Sequence, residues 1–426
     1  MKHHTAGSEQ APMLTHRFQF LVGIDLGRWL HQACVLDANG ELVAEKGFAH
    51  SREGLSETVT WLLSLVKDPD HLAVAIEKPH GAVVDTLLAR GLAVFAVNPK
   101  QVDRFRDRHS LSGAKDDRRD AFVLADALRT DGHRFQRLQL PPPEIIALRQ
   151  LLTARFQLIK LHVALSSQIQ DLLIQCRPHL LSLAPRNRPL DSFFAELLEL
   201  FFDSQPRPPA PDEIRALIRK HHIRRVKLED ILHVLQQPSL QLASGTLEAL
   251  SAHLAVLFPQ LKLVRRQRRD VDQYLERWFA EIQRDCPPHQ PSDNALLASL
   301  PGVGALVLAT LLGHAHDAIR LRNRDALRSL GGIAPVTKQS GQRRQVLMRR
   351  ARSQPLAYAL HHWAAIAVLR DSHFKHHYQR LRRKGHHHAR ALRGVMDRLL
   401  SLAVAMLRDR SFYDPSRFRK RAARTT

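Results

Sequence analysis

Between residues 18 and 132, short apolar runs alternate with amphipathic stretches at a spacing that predicts strands and helices in turn. A first run, Phe18-Gln19-Phe20-Leu21-Val22-Gly23-Ile24, ends at Asp25. Two further strands, 32–36 and 41–48, flank Asn39-Gly40, a pair that supplies the positive φ of a tight hairpin. An amphipathic helix is predicted over 51–66 and a strand over 72–76. A helix over 81–90 follows, with Gly91 as its C-terminal cap. The last strand, 92–97, leads into Asn98-Pro99, which opens a helix carrying Arg104, Arg106 and Arg108. The predicted order is βββαβαβα.

Beyond residue 140 the strand pattern stops. Pro141-Pro142-Pro143 cannot continue a helix and marks a boundary. A long helix then runs to about residue 177, with Leu151, Leu158, Leu165 and Leu172 seven apart and Leu152, Ile159 and Leu173 beside them. This seam fits a coiled coil between chains or the buried face of a bundle. Residues 181–240 hold two proline-rich turns around short helices, and 181–238 forms an insertion longer than a minimal linker needs. A second long helix, 246–284, is predicted to break near Pro259 and could fold back on the first. From 295 onward the pattern predicts short helices with glycine-rich turns. The uncharged stretch 295–313 nears membrane-span length, but Pro301-Gly302-Val303-Gly304 divides it into two short helices and a tight turn. The expected domains are 18–140 (α/β), 141–290 (helical linker), 291–412 (basic, mainly α) and a basic tail, 413–426.

Charge narrows the choice of partner. The 426 residues carry 64 Lys and Arg against 41 Asp and Glu, a formal charge of +23. Residues 301–426 alone hold 26 basic and 6 acidic residues, mostly arginine among the basic ones. Such a one-sided field favours a polyanion, DNA or RNA, and no membrane partner is expected, since the 295–313 stretch is split by its turn. Cys34, Cys176 and Cys286 are too few and too scattered for a disulfide framework or a zinc motif, which predicts a reducing cytoplasm. The polar first seventeen residues predict no secretory leader.

Against this basic background four acids stand out. Asp25 and Glu77 each end an apolar strand, and Asp117 and Asp120 lie three apart at the start of a helix. With the strand order above, these are the positions an RNase H-like fold would bring to one site. Hard oxygen ligands from separate elements suit two Mg²⁺ ions about 4 Å apart, with Mn²⁺ as a substitute. Taken alone, Asp117 and Asp120 also fit first-turn aspartates that favour a helix N-terminus. The adjoining Asp116 should point about 100° away from Asp117. Ser340, in Gln339-Ser340-Gly341 with Arg343 and Arg344 following, could attack a phosphate, although most Ser-Gly pairs are only turns. Gly302 and Gly304 could let backbone N–H groups approach a phosphate, or could form a purely structural turn. Lys338, Arg343, Arg344, Arg349, Arg350, Arg382, Arg383 and Lys384 are the candidate nucleic-acid contacts. The pairs and triplet at His361, His376 and His386 fit a hydrated basic surface better than a zinc site, because adjacent helical histidines diverge.

Together these motifs resemble the DEDD-type insertion-sequence transposases, a group that includes Piv-like DNA invertases and bridge-RNA-guided recombinases. The residues that carry the resemblance are Val22-Gly23-Ile24-Asp25, Ala75-Ile76-Glu77, Val97-Asn98-Pro99 and Lys115 to Ala121. Toward the carboxyl end they are Pro301 to Gly304, Gly332-Ile333-Ala334-Pro335, Gln339-Ser340-Gly341 and Tyr378 to Gly385. The resemblance implies a RuvC-like domain binding Mg²⁺ through Asp25, Glu77, Asp117 and Asp120, joined by a coiled coil to a transposase domain with Ser340 as nucleophile. It also implies a phosphoserine intermediate, double-stranded DNA at element ends and target, an element-encoded guide RNA, and a homodimer or homotetramer. Asp116 stands where the family commonly has Thr, and Arg349 to Pro355 replaces a glycine-containing basic turn. The competing readings are a junction nuclease that uses water and a non-catalytic nucleic-acid-binding protein.

Overall fold

The computed structural model describes residues 17–109, 116–185, 190–203, 207–284, 291–340 and 343–416. The chain divides at the predicted proline run into two units, 1–142 and 143–426. In the first, β1 (Phe20–Leu26), β2 (Leu30–Asp37) and β3 (Leu42–Ala49) form an antiparallel meander, followed by α1 (Arg52–Ser64). Ser51 caps α1 by accepting from the Gly54 N–H at 3.1 Å. Then come β4 (Leu72–Ile76), α2 (Ala82–Ala89), β5 (Ala93–Ala96), α3 (Pro99–His109), α4 (Asp117–Asp131) and β6 (Gln136–Arg137). The sheet order is β3-β2-β1-β4-β5-β6, with β1, β4 and β5 parallel.

Parity along the strands explains the layering. All five β4 residues are buried, as expected of a central parallel strand covered on both faces. Val22, Ile24, Val74, Ile76 and Val94 face one way and pack with Val59 and Leu62 of α1 and with Val83, Val84 and Leu87 of α2. Leu21, Ala73, Ala75, Ala93 and Phe95 face the other way and pack with Val102 of α3 and with Val123, Leu124, Ala127 and Leu128 of α4. Gly23 lies on this second face, where a Cβ would fall 1.9 Å from the Ala121 carbonyl oxygen and 2.5 Å from the Ala125 nitrogen. The helix backbone therefore rests directly on β1. At the hairpin, the Asp37 carboxylate accepts from the Asn39 and Glu41 N–H groups at 2.9 and 2.8 Å, which holds its pKa below the ordinary value.

The second unit opens with α5 (Pro143–Cys176), α6 (Ser192–Asp203), α7 (Pro211–Lys220), α8 (Leu228–Leu235) and α9 (Thr246–Arg284). It continues with α10 (Asp293–Ala298), α11 (Ala305–Arg320), α12 (Arg324–Leu330), β7 (Val336–Ser340), β8 (Arg343–Leu347), α13 (Gln354–Arg370), α14 (Ser372–Arg383) and α15 (His388–Asp409). The fold-back of the second long helix on the first is borne out: α5 and α9 run antiparallel. Arg155 meets Asp272 at 2.6 Å and Arg265 meets His162 at 3.3 Å, so numbers rise on one helix as they fall on the other. The two helices thread two separate cores. Ile145, Leu148 and Leu152 join Leu275 and α10–α15 in one. Leu165, Ile169, Leu172 and Leu173 join α6–α8 and Leu254 to Val264 in the other. The leucine seam is thus buried at its two ends within this chain.

Three expectations are corrected. Pro259 does not break α9, which is continuous across it. An interior proline costs about 3 kcal/mol, but burial of the adjoining Leu257, Phe258 and Leu261, each worth about 2 kcal/mol, offsets it. Two carboxy-terminal helices are also longer than expected, 17 residues in α13 and 22 in α15, while α11 is kinked at Ala315, where φ is −133° and ψ 22°. Gly313 lies within α11. It lets α5 approach, with a Cβ there 2.8 Å from Leu152, while its carbonyl accepts from Arg149 Nε at 2.8 Å. Finally, the β7–β8 ribbon was not foreseen. By length and composition α9 could span a membrane, yet here Leu254, Leu257, Phe258, Leu261 and Val264 serve the core.

Candidate active site

The sheet register brings Asp25 and Glu77 together. Ile24 pairs with Ile76 in the last step of the parallel β1–β4 ladder, so the next residue of each strand is an acid. Both continue the parity of Leu21 and Gly23 and of Ala73 and Ala75, and so stand on the face covered by α4. Asp25 and Glu77 are each half-buried. Apolar burial of the strands fixes their height, and the Gly23 contact fixes the helix above them.

The first turn of α4 supplies the other pair. Asp117 is exposed, whereas Asp120 is 2% exposed. Arg106 of α3 donates from Nε to Asp120 Oδ1 at 2.7 Å and lies 3.2 Å from Asp103. The Asp120 hydrogen bond, opposed by burial and aided by the charges of Asp120, Asp103 and Glu77, raises the Arg106 pKa above its ordinary value. Sequence reasoning placed Arg106 on its helix but missed this partner, because the contact links residues 14 apart through a tertiary packing. Asp116 is the N-cap and accepts from the Arg118 N–H at 3.1 Å, so its carboxylate is committed to the helix end.

Among the described residues, no three acidic, histidine or cysteine side chains are grouped closely enough to hold a metal ion. The donor chemistry is of the kind a hard divalent cation takes: Asp25 and Glu77 each follow a residue of the paired Ile24 and Ile76, and the buried Asp120 carboxylate has its charge balanced by Arg106. The residues that would hold such an ion are Asp25, Glu77, Asp120 and, from the exposed edge, Asp117. When bound, a divalent ion would polarise phosphate oxygens and stabilise developing negative charge.

Ser340 ends β7, and its backbone pairs with Arg343 at the last step of the β7–β8 ladder. The side chains of Lys338, Ser340, Arg343 and Arg344, and residues 341–342, lie outside the described residues, as do Cys286 and the tail from 417. At the ribbon's base is a cleft of about 360 Å³ lined by Gly332, Met348, Arg352, Tyr358, His361 and Arg393. Arg349 and Arg352 each hold a buried Nε–H with no hydrogen-bond acceptor. Burial, with His362 and His388 nearby, lowers the His361 pKa. Tyr358 and Arg393 carried no sequence signal, since each sits in an ordinary helical pattern.

The glycine turn is explained by packing. Gly302 has φ +83° and lies where a Cβ would come 3.0 Å from the Ala367 nitrogen of α13, while Trp363 Nε1 donates to the Pro301 carbonyl at 3.0 Å. Gly304 faces open space at the start of α11. Arg350, Arg382, Arg383 and Lys384 are exposed, with Arg382 donating to the His386 carbonyl at 2.8 Å. The histidines make local contacts: His388 Nδ1 meets Tyr378 Oη at 2.8 Å and His376 Nδ1 meets the Ser372 carbonyl at 2.6 Å.

Comparison with known proteins matches both ends of the chain. A DEDD transposase model of the IS110 group matches residues 22–178. The model described as transposase IS116/IS110/IS902 family matches residues 294–379. The y4uE protein of Sinorhizobium fredii, named as a transposase, is 37% identical over 51% of this chain and 61% of its own length. The chain thus spans less than two thirds of that relative. The mini-circle IS117 protein of Streptomyces coelicolor is 28% identical over 93% of this chain and 95% of its own. The 44.8 kDa protein of insertion element IS116 from Streptomyces clavuligerus is 25% identical over 95% and 98%.

Proposed function

Because the chain belongs to the IS110/IS116 family of insertion-sequence transposases, we propose that it cuts and rejoins DNA through a covalent link at Ser340, assisted by Mg²⁺ held at Asp25, Glu77, Asp117 and Asp120. The observation that supports the metal half is the register, in which Asp25 and Glu77 follow the paired Ile24 and Ile76 on the sheet face that α4 covers. The serine half rests on the motif Gln339-Ser340-Gly341 at the end of a ribbon inside the second family match.

In this reading the Ser340 hydroxyl oxygen bonds to the scissile phosphorus as one strand P–O bond breaks. The serine proton leaves to a base or to solvent, and the departing oxygen takes up a proton. Attack by a hydroxyl of the new strand reverses the exchange, so the number of phosphate ester bonds is conserved and no external energy source is needed. Arg343 and Arg344 donate to the phosphate oxygens as charge builds, and Lys338, Arg349, Arg350, Arg382, Arg383 and Lys384 hold the flanking backbone. Sequence choice falls to an element-encoded RNA paired with donor and target DNA, and a homodimer or homotetramer provides the several strand-exchange centres.

The test is a denaturing gel of protein with labelled element-end DNA, Mg²⁺ and co-expressed flanking RNA. Wild type is expected to give a protein–DNA adduct that Ser340→Ala abolishes and Asp117→Asn strongly reduces. Cut DNA without adduct, insensitive to Ser340→Ala, would identify a nuclease that uses water and end the serine mechanism.

A further inference from the structure

A second basic cleft, of about 710 Å³, lies between α5, the segment entering α6, and α9. Its rim carries Arg265, Arg268 and Arg269 against one carboxylate, Asp191. That carboxylate is already engaged: the Phe194 N–H donates to it at 2.7 Å, and the Arg225 guanidinium lies 3.6 Å away. Arg265 is engaged too, donating to the Leu190 and Asp191 carbonyls and to His162. Burial and the charges of Arg265 and Arg268 push the His162 pKa down to about 4, so at neutral pH His162 is uncharged and accepts from Arg265.

What is left over is a set of donors without acceptors. Ser166 is 9% exposed, and its hydroxyl has no hydrogen-bond partner. The buried Nε of Arg268 likewise lacks an acceptor, and both groups line the cleft. Buried donors in native proteins are nearly always satisfied, so two lining one cleft, with Arg269 on its rim, mark it as a place of missing acceptors. The acceptor must be anionic, since the remaining guanidiniums are not neutralised within the cleft. Arg268 presents a planar fork suited to two oxygens of one phosphate.

We propose that this cleft holds the phosphodiester backbone of a nucleic-acid strand, with Arg268, Arg269 and Ser166 as its donors. The choice of nucleic acid over a free anion rests on the transposase reading. Arg265, Arg268 and Arg269 and the 190–192 wall lie in residues 179–293, which neither family match covers. The insertion thereby gains a role as one wall of a strand-anchoring site remote in sequence from Ser340 and from the four acids.

The test measures binding of the full-length protein to labelled element-end DNA, to the flanking RNA and to inorganic phosphate across a salt series. Arg268→Gln with Arg269→Gln is expected to weaken one nucleic acid about tenfold. It should also flatten its log–log salt slope by about 0.9 per lost phosphate for duplex DNA, or about 0.7 for single strands. The nucleic acid that responds identifies the strand. Ser166→Ala removes an unpartnered hydroxyl, so the free protein should keep or raise its melting temperature while binding weakens a few-fold. Wild-type binding that both variants leave unchanged would overturn the site and leave the transposase reading intact. Failure of wild type to bind either nucleic acid would overturn both. Protection by phosphate alone, with nucleic-acid affinity unaffected, would reassign the cleft to a free anion and overturn the proposal.

Discussion

The carboxylate face of the sheet and the β7–β8 ribbon bear the two halves of one proposed chemistry, and they are built in opposite ways. Asp25 and Glu77 end strands buried on both faces, and a helix rests on a glycine two residues before Asp25. Ser340 ends a two-stranded ribbon in which none of the described side chains is buried; Val346 is 62% exposed and Leu347 41%. A two-stranded ribbon is marginal in isolation, whereas a covered six-stranded sheet holds its shape without help. The core therefore fixes the frame around the carboxylates, whereas the described part of the ribbon has no such cover. The lesson is energetic: apolar burial on both faces holds the carboxylates in place, and the ribbon lacks that source of rigidity.

The largest effect that would sharpen this contrast is expected at Gly23. Replacing it with Ala places a methyl group 1.9 Å from the Ala121 oxygen, so α4 must move or the unit must unfold. A loss of about 3 kcal/mol or more is expected in chemical denaturation of the amino-terminal unit, together with loss of DNA cutting. Ser340→Ala, on the ribbon, should change stability by less than about 0.5 kcal/mol. Equal stability losses at the two positions would break the comparison.

Next comes the Arg106–Asp120 pair. Arg106→Gln leaves a nearly buried carboxylate without its cation, and a destabilisation of about 2–3 kcal/mol is expected without metal. Millimolar Mg²⁺ should restore part of that loss if the carboxylates bind the ion, and Arg106→Gln with Asp120→Asn should be milder than the single change. A thermal-shift double-mutant cycle with and without Mg²⁺ reads both. Absence of any Mg²⁺ rescue would count against the metal site at these acids.

The smallest effect lies in the helical unit. His162 resists protonation in the folded chain, with its pKa pushed from 6.5 to about 4. Between those values the unfolded chain binds a proton that the folded chain does not, so stability falls as pH drops from about 6.5 through 4. Melting curves of His162→Gln should show a shallower decline across that window than wild type. Identical slopes would remove His162 as a contributor.

Much of the amino-terminal unit was legible because its signals are local. Apolar runs with period two, Asn39-Gly40, Pro99 and the prolines at 141–143 each constrain their own neighbourhood. The four acids were legible for the same reason, as strand-end and first-turn positions. Arg106 was not, since its importance comes from a carboxylate on another helix. Pro259 was misread as a break because local propensity favours one, whereas burial of Leu257, Phe258 and Leu261 decides otherwise. The ribbon gave too little pattern: Val336 to Leu347 mixes Gln, Arg and Lys with few apolar residues.

By itself the sequence determined the alternation of strands and helices, the excess of positive charge and the chemical identity of Asp25, Glu77, Asp117, Asp120 and Ser340. Those depend on residue type and on spacing within a few positions. Only the tertiary structure decided that Asp25 lies beside Glu77, that Asp120 is buried against Arg106, and that Ser166 and Arg268 are left without acceptors. Each of these joins segments far apart in the chain, through packing that no local pattern encodes.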